Sequence, residues 1–227
     1  MKKEKEESKK IILSIQNASY RYSDAAADDY AIKNISFDFE EGKIYAIRGR
    51  SGTGKTTLLS LITGLERCSE GSIIFDGKDL SSINLDKYRN SEIGIVFQSY
   101  NLLPFMTASE NIILSMDASG IKETNKKTKA LELMKSVGLK EEQSNRKVLR
   151  LSGGEQQRVA IARSLSYNPK MIVADEPTGN LDKQTENEIL EIFKRLAHEE
   201  GKCVIIVSHS ENVCKNVDVV YDLKKVK

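Results

Sequence analysis

Short apolar runs alternate with amphipathic stretches along most of this 227-residue chain. The runs IILSIQ, AIKNISFDF, KIYAI, SIIF, EIGIVF, MIVAD, CVIIVS and DVVYDL have the length and β-branched content of strands. Several are apolar without interruption, which suits strands covered on both faces of a parallel sheet. The first few alternate and lie close together, so an antiparallel patch is expected near the N-terminus. Between Gln98 and about Gly153 the strand signal fades. TASENIILSM and NKKTKALELMKSVGL read as helices there, the second with Leu131, Met134 and Val137 near helical spacing. Ile189, Ile192, Phe193 and Leu196 form an i, i+3, i+4, i+7 stripe on a helix expected to end near Gly201. The pattern predicts one α/β domain over 11–227. Its core comprises 11–97 and 155–227, and a helical segment over 98–154 interrupts it.

Composition narrows the class. Hydrophobic residues at 39% and charged residues at 30% give the balance of a water-soluble globular chain. A formal net charge of +2 gives no electrostatic case for nucleic acid. No apolar run approaches the roughly 20 residues that span a bilayer. The first ten residues, MKKEKEESKK, are charged, do not read as a signal peptide, and are expected to form a solvated tail. Cys68, Cys203 and Cys214 lack metal-ligand spacing and suggest no disulfide framework, and Cys203 opens a strand as a core residue. These features point to the cytoplasm.

The candidate chemistry starts directly after KIYAI. GRSGTGKT fits G-x-x-x-x-G-K-[ST], so the loop Gly49, Arg50, Ser51, Gly52, Thr53, Gly54, Lys55, Thr56 and Thr57 is expected to hold phosphates. Backbone N–H groups must approach phosphate oxygens closely, and glycine leaves no Cβ in the way. A helix starting near Lys55 adds partial positive charge at its N-terminus. Lys55 is placed for the β- and γ-phosphates and Thr56 for Mg²⁺. MIVADEP then ends an apolar strand in Asp175, suited to hold Mg²⁺, and Glu176, suited as general base toward an attacking water. Such a pair alone also suits a solvent-facing turn; behind a phosphate loop, the catalytic reading is preferred.

LSGGEQQRVAIAR, residues 151–163, resembles the signature of the ATP-binding-cassette (ABC) ATPases. Ser152, Gly153 and Gly154 stand where a second helix begins, a second anion-binding N-terminus. The resemblance runs from Ile11 to about Leu223 and implies a P-loop NTPase fold. That fold has a RecA-like mixed-sheet core, an N-terminal antiparallel β-subdomain and an inserted helical subdomain. It implies a head-to-tail dimer, of two copies or with a paralogue, in which one subunit's signature covers the ATP held by the other. Gln98 resembles the Q-loop glutamine, near Mg²⁺ or the attacking water. Asp182 resembles the D-loop aspartate at the dimer interface, and His209 the switch histidine at the γ-phosphate. Tyr22 resembles the aromatic that stacks on adenine, with Tyr20 and Tyr30 as competitors nearby.

ADEPTGNLD and FQSYNLLPFMTASENI resemble one branch especially, the ATPases of lipoprotein-releasing, macrolide-export and antimicrobial-peptide-resistance systems, which also includes the cell-division ABC ATPase. That implies a separate transmembrane permease, docked near residues 99–116 and holding the subunit on the inner face of the membrane. Leu102, Leu103 and Phe105 then have a reason to face outward; the alternative is that they are core of the helical segment. Arg50 departs from the small or neutral residue usual in the loop, and Ser210 stands where aspartate is common after the histidine. Two other readings stay open: a soluble ABC ATPase of DNA repair or translation, and an ATPase that regulates a permease-like complex without transport.

Overall fold

The computed structural model describes residues 10–23, 26 and 29–226. The charged tail expected over 1–10 lies outside the described residues except for Lys10, which pairs with Asp76 and Glu41. In chain order, β1 (Ile11–Tyr20), β2 (Ile32–Glu40), β3 (Ile44–Arg48), α1 (Lys55–Ile62), β4 (Glu70–Phe75), β5 (Lys78–Asp79) and α2 (Leu85–Lys87) come first. They are followed by β6 (Ile93–Val96), α3 (Ala108–Ala118), α4 (Lys126–Ser136), α5 (Gly153–Ser164), β7 (Met171–Asp175), α6 (Lys183–His198), β8 (Cys203–Val207), α7 (Glu211–Lys215) and β9 (Val219–Asp222).

The two classes of apolar run segregate into two sheets. The uninterrupted runs form a five-stranded sheet in the order β6-β7-β8-β3-β9, and every pairing in it is parallel. The alternating runs form a four-stranded antiparallel sheet in the order β2-β1-β4-β5. Burial on both faces explains the first group: all five residues of β8 are buried. One face of the parallel sheet offers Ile44, Ala46, Val96, Ile172, Ala174, Val204 and Ile206 to α5, α6 and α7. The other face offers Tyr45, Ile47, Ile93, Val173, Ile205 and Val207 to α1 and the antiparallel sheet.

The helical segment docks through α5, against which α3 and α4 pack with Ile112, Met116, Ala130 and Met134 buried. Its start is specified locally. Thr107 accepts from Glu110 N, and the Glu110 carboxylate accepts from Thr107 N at 2.7 Å, a reciprocal cap on α3. The stripe on α6 is buried as its spacing predicts, with Ile189, Phe193 and Leu196 at 0% exposure. Each such side chain contributes roughly 1.5–3 kcal/mol by leaving water. Cys203 is core, and burial pushes its thiol pKa far up. All three cysteines are free.

Candidate functional site

Strand order builds the site. In a parallel sheet the carboxyl ends of the strands share one edge, where open α/β folds bind ligands. The register pairs Ile47 and Asp175 with the same residue of β8, Val207, so the ends of β3, β7 and β8 are level. The loop after β3 is the glycine loop, the residues after β7 are the acid pair, and β8 between them ends in Ser208 and His209. Gln98 follows β6 at the next position along the same edge.

The loop closes on its own backbone. The Arg50 carbonyl accepts from Thr53 N at 3.3 Å, Thr53 Oγ1 at 2.9 Å and Lys55 Nζ at 3.1 Å, and the Gly49 carbonyl takes Lys55 Nζ at 2.9 Å. Arg50 acts here through its carbonyl, and its side chain is exposed. The buried Thr53 hydroxyl belongs to the loop's internal structure. Ser51, Gly52 and Thr56 are open or partly open to solvent, while Thr57 is buried. Gly54 caps α1 in the left-handed region, φ 89°, directly under the Ala31 carbonyl. The Tyr22 hydroxyl lies 3.0 Å from Thr57 Oγ1, which brings its half-exposed ring to the start of α1. Its competitors are otherwise engaged: Tyr20 is buried, and Tyr30 donates to Glu70 at 2.9 Å.

Glu176 occupies φ 43°, a left-handed position uncommon for a side-chain-bearing residue. Its carboxylate is only 14% exposed, and each of its oxygens has a partner. Oε1 lies 2.7 Å from His209 Nδ1, and Oε2 accepts from Ser208 Oγ at 3.0 Å. A carboxylate oxygen can only accept, so Nδ1 carries the proton and Nε2 is left for another partner. Asp175 is half-buried. Burial and then the neighbouring Glu176 charge raise its pKa, against the pull of Lys55. Asp175 and Thr56 line one small cavity of about 70 Å³. Gln98 Nε2 reaches Asn180 Oδ1 at 3.4 Å, in the turn after Glu176.

The signature is a second, separate cleft. Ser152 caps α5, accepting from Glu155 N at 3.3 Å while Glu155 Oε2 takes Ser152 N at 2.7 Å. Burial pushes the Glu155 carboxyl up, but hydrogen bonds from Ser152 and Gln143 outweigh it and hold the pKa below the usual range. Asp182 caps α6 through Gln184 N and Thr185 N, both at 3.0 Å; these bonds, Thr185 first, lower its pKa. An open cleft of about 310 Å³ is lined by Ser152, Gly153 and Gly154 together with Asn180, Asp182 and Thr185. None of residues 49–57 lines it.

Sequence reasoning passed over two parts of this machinery. Arg163, on α5, donates to the Tyr100 carbonyl at 3.0 Å and to the Asn101 carbonyl, tying the segment after Gln98 to the signature helix. Tyr100 and Asn101 both have positive φ, and the arginine, its pKa lowered by burial, satisfies their carbonyls. The other part is the pair of hydroxyls Thr178 and Ser208, whose partners lie on other elements. Of the apolar residues expected to face outward, Leu103 and Phe105 do, Phe105 at 83% exposure. Leu102 instead packs against the core cluster beneath. Among the described residues no helix is long and apolar enough to cross a membrane.

A glycine loop between a parallel strand and a helix, with an acid pair ending a strand two places away, defines a P-loop nucleotide-binding protein. Comparison narrows the class further: residues 32–179 match the ABC transporter family. The chain belongs to that family; it is an ATP-binding transporter subunit and an ATPase. It is 49% identical over 208 residues to an uncharacterized ABC transporter ATP-binding protein, YclH, of Bacillus subtilis, covering 92% of this chain and 91% of that one. It is 39% identical over 218 residues to the lipoprotein-releasing system ATP-binding protein LolD of Francisella tularensis, with 94% of each covered. Among solved structures it resembles the dimeric ATP-binding cassette MJ0796 bound to ADP and Pi, with TM-score 0.84, 37% identity, and 93% and 94% of the two chains covered. It also resembles cbiO1 of Clostridium perfringens, part of the ABC transporter complex cbiONQ, with TM-score 0.84, 31% identity, and 94% and 85% covered.

Proposed function

We propose that two copies of this chain, or one with a paralogue, close head to tail around two ATP molecules to drive a separate permease of the extrusion type. The observation that carries this is the division of phosphate-binding parts within one chain. The helix start behind Gly54 and the helix start behind Ser152 open into different clefts, so a single nucleotide meets both only when a second subunit supplies one of them. MJ0796 is a dimeric cassette, which supports the same arrangement here.

In the closed dimer the 49–57 loop and Lys55 hold the β- and γ-phosphates, and Tyr22 stacks on the adenine. The Ser152 hydroxyl and the Gly153 and Gly154 amides of the facing subunit reach the γ-phosphate, with Asp182 lining the junction. Glu176 orients a water for in-line attack and takes its proton. The new P–O bond forms at the γ-phosphorus as its bond to the β-phosphate oxygen breaks, leaving ADP and phosphate. Lys55 stabilises the charge that develops on the transferring group, and His209 joins it when its ring carries both protons, donating through Nε2–H.

The residues present also fit Mg²⁺. Thr56, Gln98 and Asp175 offer hydroxyl, amide and carboxylate oxygens, the hard donors that ion takes together with phosphate oxygens and water. Among the described residues no group of three or more His, Cys, Asp and Glu could hold a metal ion; phosphate oxygens of the nucleotide and water would complete the shell. When bound, the ion would neutralise charge between the β- and γ-phosphates. As phosphate leaves, the ligand bridging the two subunits is lost and the dimer opens.

The permease is proposed to seat on residues 99–116, where Leu103 and Phe105 stand exposed. The extrusion-type assignment draws support from the likeness to LolD over nearly the whole chain. The test is Glu176→Gln with ATP and Mg²⁺. It should bind ATP, run as a dimer by light scattering, and hydrolyse about 10²- to 10⁴-fold more slowly. A strictly monomeric ATP-loaded sample overturns the sandwich, and undiminished turnover overturns the assigned base.

A further inference from the structure

Glu186 stands on the first turn of α6, outside both the turn that follows Glu176 and the loop that carries His209, yet its side chain reaches both. Oε1 accepts from Ser210 Oγ at 2.9 Å and from Thr178 Oγ1 at 3.2 Å. From Ser210 the chain of hydrogen bonds continues inward. Ser210 N donates to Ser208 Oγ at 3.1 Å, and that hydroxyl donates to Glu176 Oε2 at 3.0 Å. The other oxygen of Glu176 faces His209 Nδ1 at 2.7 Å.

Two hydroxyl-bearing residues of this chain, Thr178 and Ser208, are buried, at 4% and 1% exposure. Hydrogen bonds in such surroundings hold geometry tightly, and an orphaned partner is costly. The far end of the chain is also firm. Asp182 caps α6 one turn before Glu186, and Ile189, Leu190 and Phe193 bury the face beyond it. A carboxylate on a packed helix therefore grips both segments that bear the Glu176–His209 pair.

We propose that Glu186 is a positioning residue for hydrolysis. It fixes the 208–210 loop and the turn after Glu176 in the arrangement that presents both groups, and it supplies from α6 the carboxylate that Ser210 does not carry. The inference rests on the roles given above to Glu176 and His209.

Position 210 tests the charge. Serine and aspartate both cap helices well, so Ser210→Asp keeps the cap of α7, where Ser210 Oγ now accepts from Val213 N at 3.4 Å. With Glu186 in place, Ser210→Asp sets two carboxylates at hydrogen-bond distance, and like charges so close disfavour one another. Steady-state ATPase assays should show Glu186→Ala with kcat lowered roughly tenfold and KM within about twofold, the loss of hydrogen bonds to a charged acceptor. Glu186→Gln keeps an acceptor oxygen and most of the activity. Ser210→Asp alone should lose a similar factor, whereas Glu186→Gln/Ser210→Asp should match Glu186→Gln, because the amide can donate to the new carboxylate.

Wild-type kcat in Glu186→Ala overturns the inference. So does a Ser210→Asp penalty of equal size in both backgrounds, a result that remains readable even if the alanine variant fails to fold. Glu176→Gln run alongside separates the two levels. If it keeps wild-type turnover, the assignment of Glu176 falls. If it is blocked while Glu186 variants behave as wild type, only the role of Glu186 falls.

Discussion

Replacing Gly54 by alanine tests whether the shape of the phosphate loop, rather than its composition, is what binds ATP. The residue sits at φ 89°, ψ 15°, a left-handed conformation that costs an L-residue roughly 1–2 kcal/mol. A Cβ there would stand 2.6 Å from the Ala31 carbonyl oxygen and 3.0 Å from Ile32 Cγ1. The nearer obstacle is a backbone carbonyl, at the residue just before β2, so it cannot rotate away as a side chain would, and overpacking of that kind costs about 1–3 kcal/mol. Together they give roughly 2–5 kcal/mol, which the loop relieves by abandoning its present shape. At about 1.4 kcal/mol per tenfold, ATP binding should weaken from about thirtyfold to a few thousandfold. Gly52 is the internal control, with φ 76° but open space around its Cβ position. Gly52→Ala therefore carries the strain alone, about five- to thirtyfold. Isothermal titration with ATP and thermal melts on both variants decide the matter. Equal affinities for Gly54→Ala and wild type with unchanged Tm, or a larger loss for Gly52→Ala than for Gly54→Ala, would refute the reasoning.

Three further outcomes follow from the same structure. Tyr22→Ala should weaken ATP binding by about 1–3 kcal/mol, the usual worth of a base–aromatic stack, while Tyr22→Phe retains most of it; titration of both variants separates stacking from the bond to Thr57. Asp76 is held down to a pKa of about 2 by hydrogen bonds from Lys10 and then Lys170. Because its folded pKa lies below the unfolded value of 3.8, its stabilisation is full above that value and fades as pH falls toward about 2. Urea melts should thus show wild type exceeding Asp76→Asn at pH 7 and converging with it near pH 2. Phe105→Asp, at a side chain 83% exposed, should leave basal ATPase and Tm unchanged and abolish co-purification with the permease.

Sequence periodicity captured what burial imposes on a single element. CVIIV is apolar throughout because both faces of β8 are covered, and that reads directly. The two-residue β5 has no period to show. The sequence leaves the choice among Tyr20, Tyr22 and Tyr30 open for a physical reason. β1 carries register shifts between Ile15 and Ala18 and between Ala18 and Tyr20, with Asn17 at φ 48°. Such bulges reset the alternation of faces, so counting by twos along the strand cannot say which ring is buried. Leu102 and Leu103 differ only in which way an irregular segment turns, and no periodicity operates there.

The phosphate loop, the acid pair and the signature are legible as candidates because each occupies one contiguous segment with a strand or helix behind it. Ser210 marks the limit of that kind of reading. Taken alone, it suggests a histidine with weakened support. In the fold, Ser210 and Thr178 meet Glu186 from 24 and 8 residues away, and the missing carboxylate arrives from a different element. What the two hydroxyls meet is an acceptor at a place, and a place at the end of a parallel sheet is reachable from several loops and helix starts. A departure at one position of a motif therefore carries little weight until the neighbours of that place are known. Here those neighbours tie the departing residue, through Ser208, to Glu176.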